Sequence, residues 1–190
     1  MATSKTSIGG KFPEGFVSPF KRVQMEERND DSLACIATLS GRTMAEITKL
    51  AVNLGYPQHG PAWVDNALIT RVLNAVGLVG GEYQEVKSID ALPYVAILMV
   101  DYMAKTDTGR HVVWHHLKAS DKAPSFHYII DPAHWIEPAQ QVTTDFRHMK
   151  LDAPLYYIEV TPKAGNGGKA KLRGPSMCVR STQWISLAPS

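Results

Sequence analysis

A histidine and a carboxylate stand at the ends of two neighbouring predicted strands in the second half of the sequence. His111 lies near the start of one strand, and Asp131 follows the last residue of the next, in an Asp-Pro turn. If these strands pair in antiparallel fashion, the first residue of one lies beside the last residue of the other. A carboxylate beside an imidazole fixes its tautomer and supports its protonated form, as general-base catalysis requires. The alternative is a histidine at a strand end and an unrelated turn.

A glutamine and a cysteine lie upstream of these strands. Cys35 falls within a predicted helix, and the N-terminus of a helix stabilises a thiolate. Gln24 precedes that helix, and its side-chain amide could donate a hydrogen bond to an oxyanion. The order Gln24, Cys35, His111, Asp131 is the order of a papain-like catalytic apparatus.

The sequence resembles the papain-like, C39-type cysteine peptidases over roughly residues 22 to 135. The matching segments are Gln24, Asp30 to Ala37 with the LSGRT run behind it, Arg110 to Val113, and Ile130 to Ala133. The resemblance implies a cleft between a helical part and a sheet. If the helix begins near Ala34, the resemblance implies that Cys35 is the nucleophile, His111 the base and Asp131 the residue that orients the imidazole. Gln24 would then lie in the oxyanion hole, and no cofactor is expected.

The same resemblance places an aspartate where the family has its nucleophile. Aligning Ala34 to Ala37 with the family puts Cys35 at a second cysteine in the helix interior. The nucleophile position then falls on Asp31, and Ser32 stands where the family has glycine. Six residues separate Gln24 from Asp31, which is near the family's gap, whereas ten separate it from Cys35. A cysteine one turn inside the helix would be buried, with a raised thiol pKa.

Two functions therefore compete. In one, the protein is a C39-type homologue without its nucleophile, and its cleft binds a peptide or protein segment without cleaving it. Asp31, Ser32, Trp114 and Trp135 would then contact the bound segment. In the other, Cys35, His111 and Asp131 act as a thiol peptidase, amidase or deamidase that forms an acyl-thioenzyme.

A zinc site is a third hypothesis. His111 and His115 are separated by an even number of positions on one strand, so their side chains face the same side of it. Asp131 or His134 could join them as zinc ligands. We nevertheless expect no metal, because the sequence has no CxxC pair and a histidine pair at a strand end is more often solvated.

Composition excludes several classes of protein. The 190 residues include 44% apolar residues and carry a formal net charge of +2. We expect no membrane span, because a membrane helix needs about 20 apolar residues in succession. Two cysteines are too few for a disulfide framework, and with no signal peptide evident this predicts a cytoplasmic protein. The composition does not predict an oligomeric state.

Composition and charge together divide the chain into three predicted parts. Residues 1–22 form an extended lead-in rich in glycine and proline, residues 23–161 form the domain, and residues 162–190 form a basic, glycine-rich tail. The tail has five basic residues and no acid, so residues 1–161 carry a net charge of −3. An acidic domain does not favour nucleic-acid binding, and we expect none.

Helical patterns come first along the chain and strand patterns afterwards. A helix runs from the Asp-Asp-Ser cap through Leu39, a second follows the Thr43–Glu46 capping box, and a third opens after Pro61. Five strands are predicted: Glu82–Lys87, Tyr94–Met103, Arg110–Leu117, Ser125–Ile130 and Leu155–Thr161. This order predicts an α+β fold, with N-terminal helices packed on a C-terminal, mostly antiparallel sheet.

Overall fold

A computed structural model describes residues 11–59, 63–119, 124–151 and 155–164 of the chain. Three helices from the N-terminal part of the chain pack on one face of a seven-stranded sheet, which is built from the segments that follow them. Every pairing in this sheet is antiparallel. The predicted α+β class is confirmed.

The three predicted helices are present. They are α1 (Asp31–Ser40), α2 (Met44–Asn53) and α3 (Asn66–Ala75), and a one-turn α4 (Pro138–Gln141) follows later. The capping box of α2 forms as predicted, with Thr43 and Glu46 each bonding the other's backbone N–H. The third helix begins at Asn66, later than predicted, because the Asp65 side chain accepts the Leu68 N–H and caps the helix there.

The strands are β1 (Leu78–Gly80), β2 (Gln84–Glu85), β3 (Val95–Met103), β4 (Thr108–Leu117), β5 (Phe126–Ile130), β6 (Val142–Thr143) and β7 (Tyr156–Pro162). They lie in the order β1-β7-β3-β4-β5-β6, and β2 also pairs with β7. Four of the five predicted strands lie where the sequence places them, and the first shortens to the two residues of β2. Strands β1 and β6 were not predicted, because two or three residues are too few to display an alternation of apolar and polar side chains.

Both faces of the sheet are covered. The helices lie over one face, and the core there is built from α1, α2, α3 and the inward residues of β3, β4, β5 and β7. A second core on the opposite face includes Val112, Trp114 and Ile129, and the side chains of Phe146, Met149 and Leu155 pack over it. Successive residues of β4 therefore point alternately into the helical core and into the second core.

Residues 11–25, which we call the strap, cross the helical face without forming a helix or strand. At one end the rings of Phe12 and Phe16 pack against Phe126 and Tyr128 of β5. At the other end the Val23 N–H donates to Thr38 Oγ1 on α1 at 2.9 Å. The strap thus ties the end of the sheet to the first helix.

Among the described helices, none combines the length and the apolar character that crossing a membrane would take. The residues of the predicted tail from 165 onward, including Cys178, and residues 1–10 of the predicted lead-in lie outside the described part of the chain.

Candidate functional site

The N-terminus of α1 meets β4 through a carboxylate and an imidazole. Asp31 is the first residue of α1, and its Oδ2 accepts the backbone N–H of His111 at 2.5 Å. The same oxygen lies 3.2 Å from His111 Nδ1. Both residues are buried, with 8% and 7% of their surface exposed. A carboxylate therefore lies directly beside the imidazole.

A tyrosine holds the other side of the imidazole. The hydroxyl of Tyr83, in the segment just before β2, lies 2.6 Å from His111 Nε2. Because Asp31 is an acceptor, His111 carries its proton on Nδ1, and Nε2 then accepts the O–H of Tyr83. Tyr83, His111 and Asp31 form one continuous hydrogen-bonded chain.

The charge on Asp31 is stabilised by its partners. Burial alone would raise the pKa of this carboxyl, but the His111 ring, the His111 N–H and the Ser32 N–H outweigh burial and lower the pKa below its usual value. The phenol responds in the opposite direction, because burial and the nearby Asp31 charge raise the pKa of Tyr83. At neutral pH the chain therefore consists of a carboxylate and a neutral phenol on either side of the imidazole.

Cys35 lies inside the helical core. Its exposed fraction is 0%, and it packs among core residues that include Ile36. Burial raises the pKa of the Cys35 thiol well above its usual value, and the charges of Asp31 and Asp131 raise it further. A thiol in this setting does not ionise at neutral pH. Both ring nitrogens of His111 are already bonded, to Asp31 and Tyr83, and neither bond is to Cys35.

Asp131 pairs with an arginine instead of orienting His111. Its Oδ2 accepts a hydrogen bond from Arg110 Nη1, and its Oδ1 accepts the Ala133 N–H at 2.9 Å. His148 Nε2 lies 3.9 Å from the same carboxylate. Arg110 also donates to Asp101 at 2.5 Å. The Asp131 carboxylate is completely buried, so this ion pair belongs to the interior of the protein.

The strand register explains this difference from the sequence prediction. Val113 pairs with Ile130, so the next residue of the chain, Asp131, falls opposite Val112 and not opposite His111. Side chains opposite each other share a face of the sheet, and adjacent side chains on a strand do not. Asp131 therefore lies on the face of Arg110 and Val112, whereas His111 lies on the helical face.

Gln24 lies on the strap beside the Asp-Pro turn. The next residue, Met25, donates its N–H to Pro132 O at 3.0 Å, which joins the strap to the turn. Gln24 itself is exposed, and its Oε1 accepts a long hydrogen bond of 3.4 Å from Arg22 Nη1. An exposed amide at this edge is free to contact a bound molecule.

Of the other residues predicted to contact a bound segment, Trp135 and Trp114 have opposite environments. Trp135 is 51% exposed and lies edge-on to the His134 ring, just after the Asp-Pro turn. Trp114 is 1% exposed and lies in the second core, on the sheet face away from His111. Trp114 therefore cannot line a site at His111. Ser32 is also buried, and its N–H donates to Asp31 Oδ1 at 2.8 Å.

No three metal-ligating side chains come together in the described ranges. The two histidines of the zinc hypothesis are separately engaged, because His111 Nδ1 faces Asp31 and His115 Nδ1 lies 2.9 Å from the Tyr128 hydroxyl. His134 is exposed and contacts Trp135. His111 and His115 thus bond different partners, and His134 lies beside an indole.

Sequence reasoning missed Tyr83 as a partner of His111. The tyrosine lies 28 residues before the histidine, within the predicted strand Glu82–Lys87, where an aromatic residue is ordinary. Its position depends on the pairing of β2 with β7, which no local pattern specifies. Nothing in the sequence around Tyr83 therefore indicates that its hydroxyl contacts His111.

Comparison with known proteins finds likeness among solved structures and none by sequence. No protein-family model matches the sequence. No curated protein matches it either. Among solved structures, the chain is similar to a double glycine motif protease from an AMS/PCAT transporter, solved in complex with the leader peptide. The two share 12% identity and a TM-score of 0.47 over 76% of this chain and 92% of that one.

Proposed function

We propose that this protein is a C39-type, papain-like homologue that binds a peptide or protein segment in the cleft beside Asp31 and His111, without thiol catalysis. The observation that supports this most strongly is the placement of Asp31, whose carboxylate meets His111 Nδ1. A carboxylate there cannot form the acyl-thioenzyme of a cysteine peptidase.

The state of Cys35 supports the same proposal. A nucleophilic cysteine has a lowered pKa and access to solvent. Cys35 has neither, since its exposed fraction is 0% and burial raises its thiol pKa. The predicted triad would also need Asp131 at the imidazole, and Asp131 is bound to Arg110 on the other face of the sheet. We therefore favour the non-catalytic hypothesis over a Cys35–His111–Asp131 peptidase.

The residues available for binding lie along the strap and the Asp-Pro turn. Gln24 offers an exposed amide, and Trp135 offers a half-exposed indole on the adjoining turn. An indole supplies a large apolar contact area with little conformational entropy to lose, and so often dominates the energy of peptide binding. Binding of an extended segment between these two residues would bring it past the N-terminus of α1.

Thiol labelling tests the loss of thiol catalysis. We expect native Cys35 to react with iodoacetamide no faster than a buried thiol does, with full labelling only after unfolding. An Asp31→Cys variant should gain a thiol that alkylates rapidly at pH 6, and His111→Ala in the same background should abolish that rapid reaction. Rapid labelling of Cys35 in the unaltered protein, lost in His111→Ala, would instead establish Cys35 as an activated nucleophile.

Peptide selection tests the binding site. Peptides selected from a random library on the unaltered protein should lose at least about tenfold in affinity on Trp135→Ala, the usual size of a hot-spot loss. Trp63→Ala is the matched control, because Trp63 is also exposed but lies before α3. If the two variants bind alike, or if no peptide is selected, the proposed cleft is not a peptide-binding site.

A further inference from the structure

The chain of hydrogen bonds through Tyr83, His111 and Asp31 has the arrangement of an activated nucleophile. We propose that Tyr83 is a nucleophilic tyrosine that accepts an acyl group from an uncharged ester, with His111 as its general base and Asp31 as the residue that positions the imidazole. This inference does not depend on peptide binding, since a small ester needs no groove.

The geometry matches the requirements for nucleophile activation. A nucleophile and its base must lie within about 2.6–3.2 Å, and a third group must orient the base. The Tyr83 hydroxyl lies 2.6 Å from His111 Nε2. The Asp31 carboxylate fixes the ring twice, through Nδ1 at 3.2 Å and through the backbone N–H at 2.5 Å. The base is thus held in the tautomer whose Nε2 lone pair faces the phenol.

The phenol reacts as its proton leaves, because it is not ionised beforehand. Burial and the Asp31 charge keep Tyr83 protonated at neutral pH. The proton must therefore pass to His111 Nε2 while the new bond forms, which is general-base catalysis. The resulting imidazolium lies beside the Asp31 carboxylate, which stabilises its positive charge.

The charges around the site favour an uncharged electrophile. Asp31 is a buried carboxylate, and it would repel a phosphate or sulfate group brought to Tyr83. Arg110 on β4 and Arg22 on the strap are already engaged. Arg110 binds Asp101 and Asp131, and Arg22 binds the carbonyls of residues 131–133. A carboxylic ester has no charge to be repelled, so we assign the substrate class as acyl esters.

The proposed step balances without an oxidant or a cofactor. The Tyr83 oxygen attacks the ester carbonyl carbon, and its proton moves to His111 Nε2. The carbon–oxygen bond to the leaving alcohol then breaks, and the alcohol departs with that proton. The product is an O-acyl-tyrosine, which water can hydrolyse with the same imidazole as its base, because a phenolate is a good leaving group.

Access to the phenol comes from the segment around β2. Tyr83 is half-buried, and its chain neighbours Glu82 and Gln84 are exposed. Its ring packs beside the His111 ring, with centroids 6.1 Å apart and planes inclined by 30°. The phenol therefore lies against the imidazole in a residue that is partly exposed to solvent.

Acetylation by p-nitrophenyl acetate tests the proposal, with labelled residues identified by peptide mass spectrometry. Tyr102 is an internal control, because it is also half-buried and its hydroxyl donates to the Asp107 carboxylate at 2.7 Å, with no imidazole in that bond. We expect Tyr83 to acetylate about 100-fold faster than Tyr102 at pH 7.5, the usual size of general-base assistance. His111→Gln should remove this advantage, and Tyr83→Phe should remove the label.

The pH profile separates a positioning role from a structural one. A phenol assisted by imidazole should reach a plateau once the imidazole is neutral, whereas an unassisted phenol gains rate up to its own ionisation. Asp31→Asn should change the pH at which the acetylation rate reaches that plateau, in a protein that circular dichroism shows to be folded. Equal labelling of Tyr83 and Tyr102, or a Tyr83 profile without a plateau in the unaltered protein, would overturn the proposal even if the variants fail to fold.

Discussion

At the scale of single residues, Asp31 accepts hydrogen bonds from three donors. His111 donates its backbone N–H and its ring Nδ1–H, and Ser32 donates its backbone N–H. A buried carboxylate is tolerable only when its oxygens are paired in this way. The residue is therefore important for folding as well as for any chemistry at the site.

Removing the carboxylate should destabilise the protein severely. We expect Asp31→Ala to lower the free energy of unfolding by about 3–5 kcal/mol, because it leaves buried donors without an acceptor. Glu159→Ala, at an exposed position on β7, is the control and should stay within about 0.5 kcal/mol. Urea unfolding measures both, and a loss below 1 kcal/mol for Asp31→Ala would contradict the three-bond account.

The effect of Asp31 should also depend on pH. Its pKa is lowered in the folded protein, so its stabilisation is complete above the ordinary carboxyl pKa of about 3.9 and is lost as pH falls through the lowered value. The difference between the unaltered protein and Asp31→Ala should accordingly shrink in strong acid.

The sequence could place Asp31 but not its complete environment. Spacing from Gln24 predicts that Asp31 stands at the nucleophile position of the family that the sequence resembles. In the structure its carboxylate lies beside His111. The Tyr83 contact depends on strand pairing between distant segments, and a sequence pattern carries no information on such pairing. The role of Asp31, on helix α1, could therefore be predicted from sequence spacing, whereas the contact made by Tyr83 could not.

At the scale of elements, the strap is held to the Asp-Pro turn by one guanidinium. Arg22 Nε donates to Asp131 O at 2.6 Å, and Nη2 donates to Pro132 O at 3.2 Å and Ala133 O at 2.7 Å. The planar fork of arginine meets three backbone carbonyls that would otherwise lack these donors. Lysine, with a single ammonium group, cannot reproduce this arrangement.

Replacing this guanidinium should loosen the strap. We expect Arg22→Lys to cost about 1–3 kcal/mol of unfolding free energy and to speed amide exchange at Met25, whose N–H bonds Pro132 O. Arg42→Lys tests the same chemical change at an exposed position and should change neither quantity. Unaltered exchange at Met25 in Arg22→Lys would show that the fork does not hold the strap.

The elements also show where sequence reasoning succeeds. Caps and periodicity locate α1 and α2 to within a residue or two, because the signals are local. The β4–β5 register decides which face Asp131 occupies, and a difference of one residue reverses that answer. The predicted pairing of His111 with Asp131 differed from the structure by that single residue.

At the scale of the whole molecule, a buried histidine couples folding to pH. His115 is 1% exposed, and its Nε2 has no hydrogen-bond partner among the described residues. Burial, together with the smaller effect of the nearby His116, lowers the pKa of His115 to about 4. Folding therefore favours the neutral ring, which lies between the strap and β5.

Stability should fall as the solution becomes acidic. An unfolded histidine titrates near 6.5, so the contribution of His115 is complete above that pH and is lost progressively toward pH 4, by about 3 kcal/mol in all. His115→Phe should flatten the stability profile in this window, and His134→Asn, at an exposed site, should not. Equal slopes in all three proteins, from urea unfolding between pH 4 and 7, would contradict this account. A smaller slope should remain from His116 and His127, whose pKa values burial also lowers.

The carboxylate partners of two neighbouring residues on β4 have a consequence for how the sheet assembles. Arg110 is committed to Asp131 on one face, and His111 is committed to Asp31 on the other. If β4 paired one residue out of step, the guanidinium would enter the helical core and the imidazole would enter the second core, each without its carboxylate. An unpaired buried charge costs several kcal/mol, so the misaligned sheet would be less stable than the native one. Two adjacent residues thus favour a single register of the central strand β4.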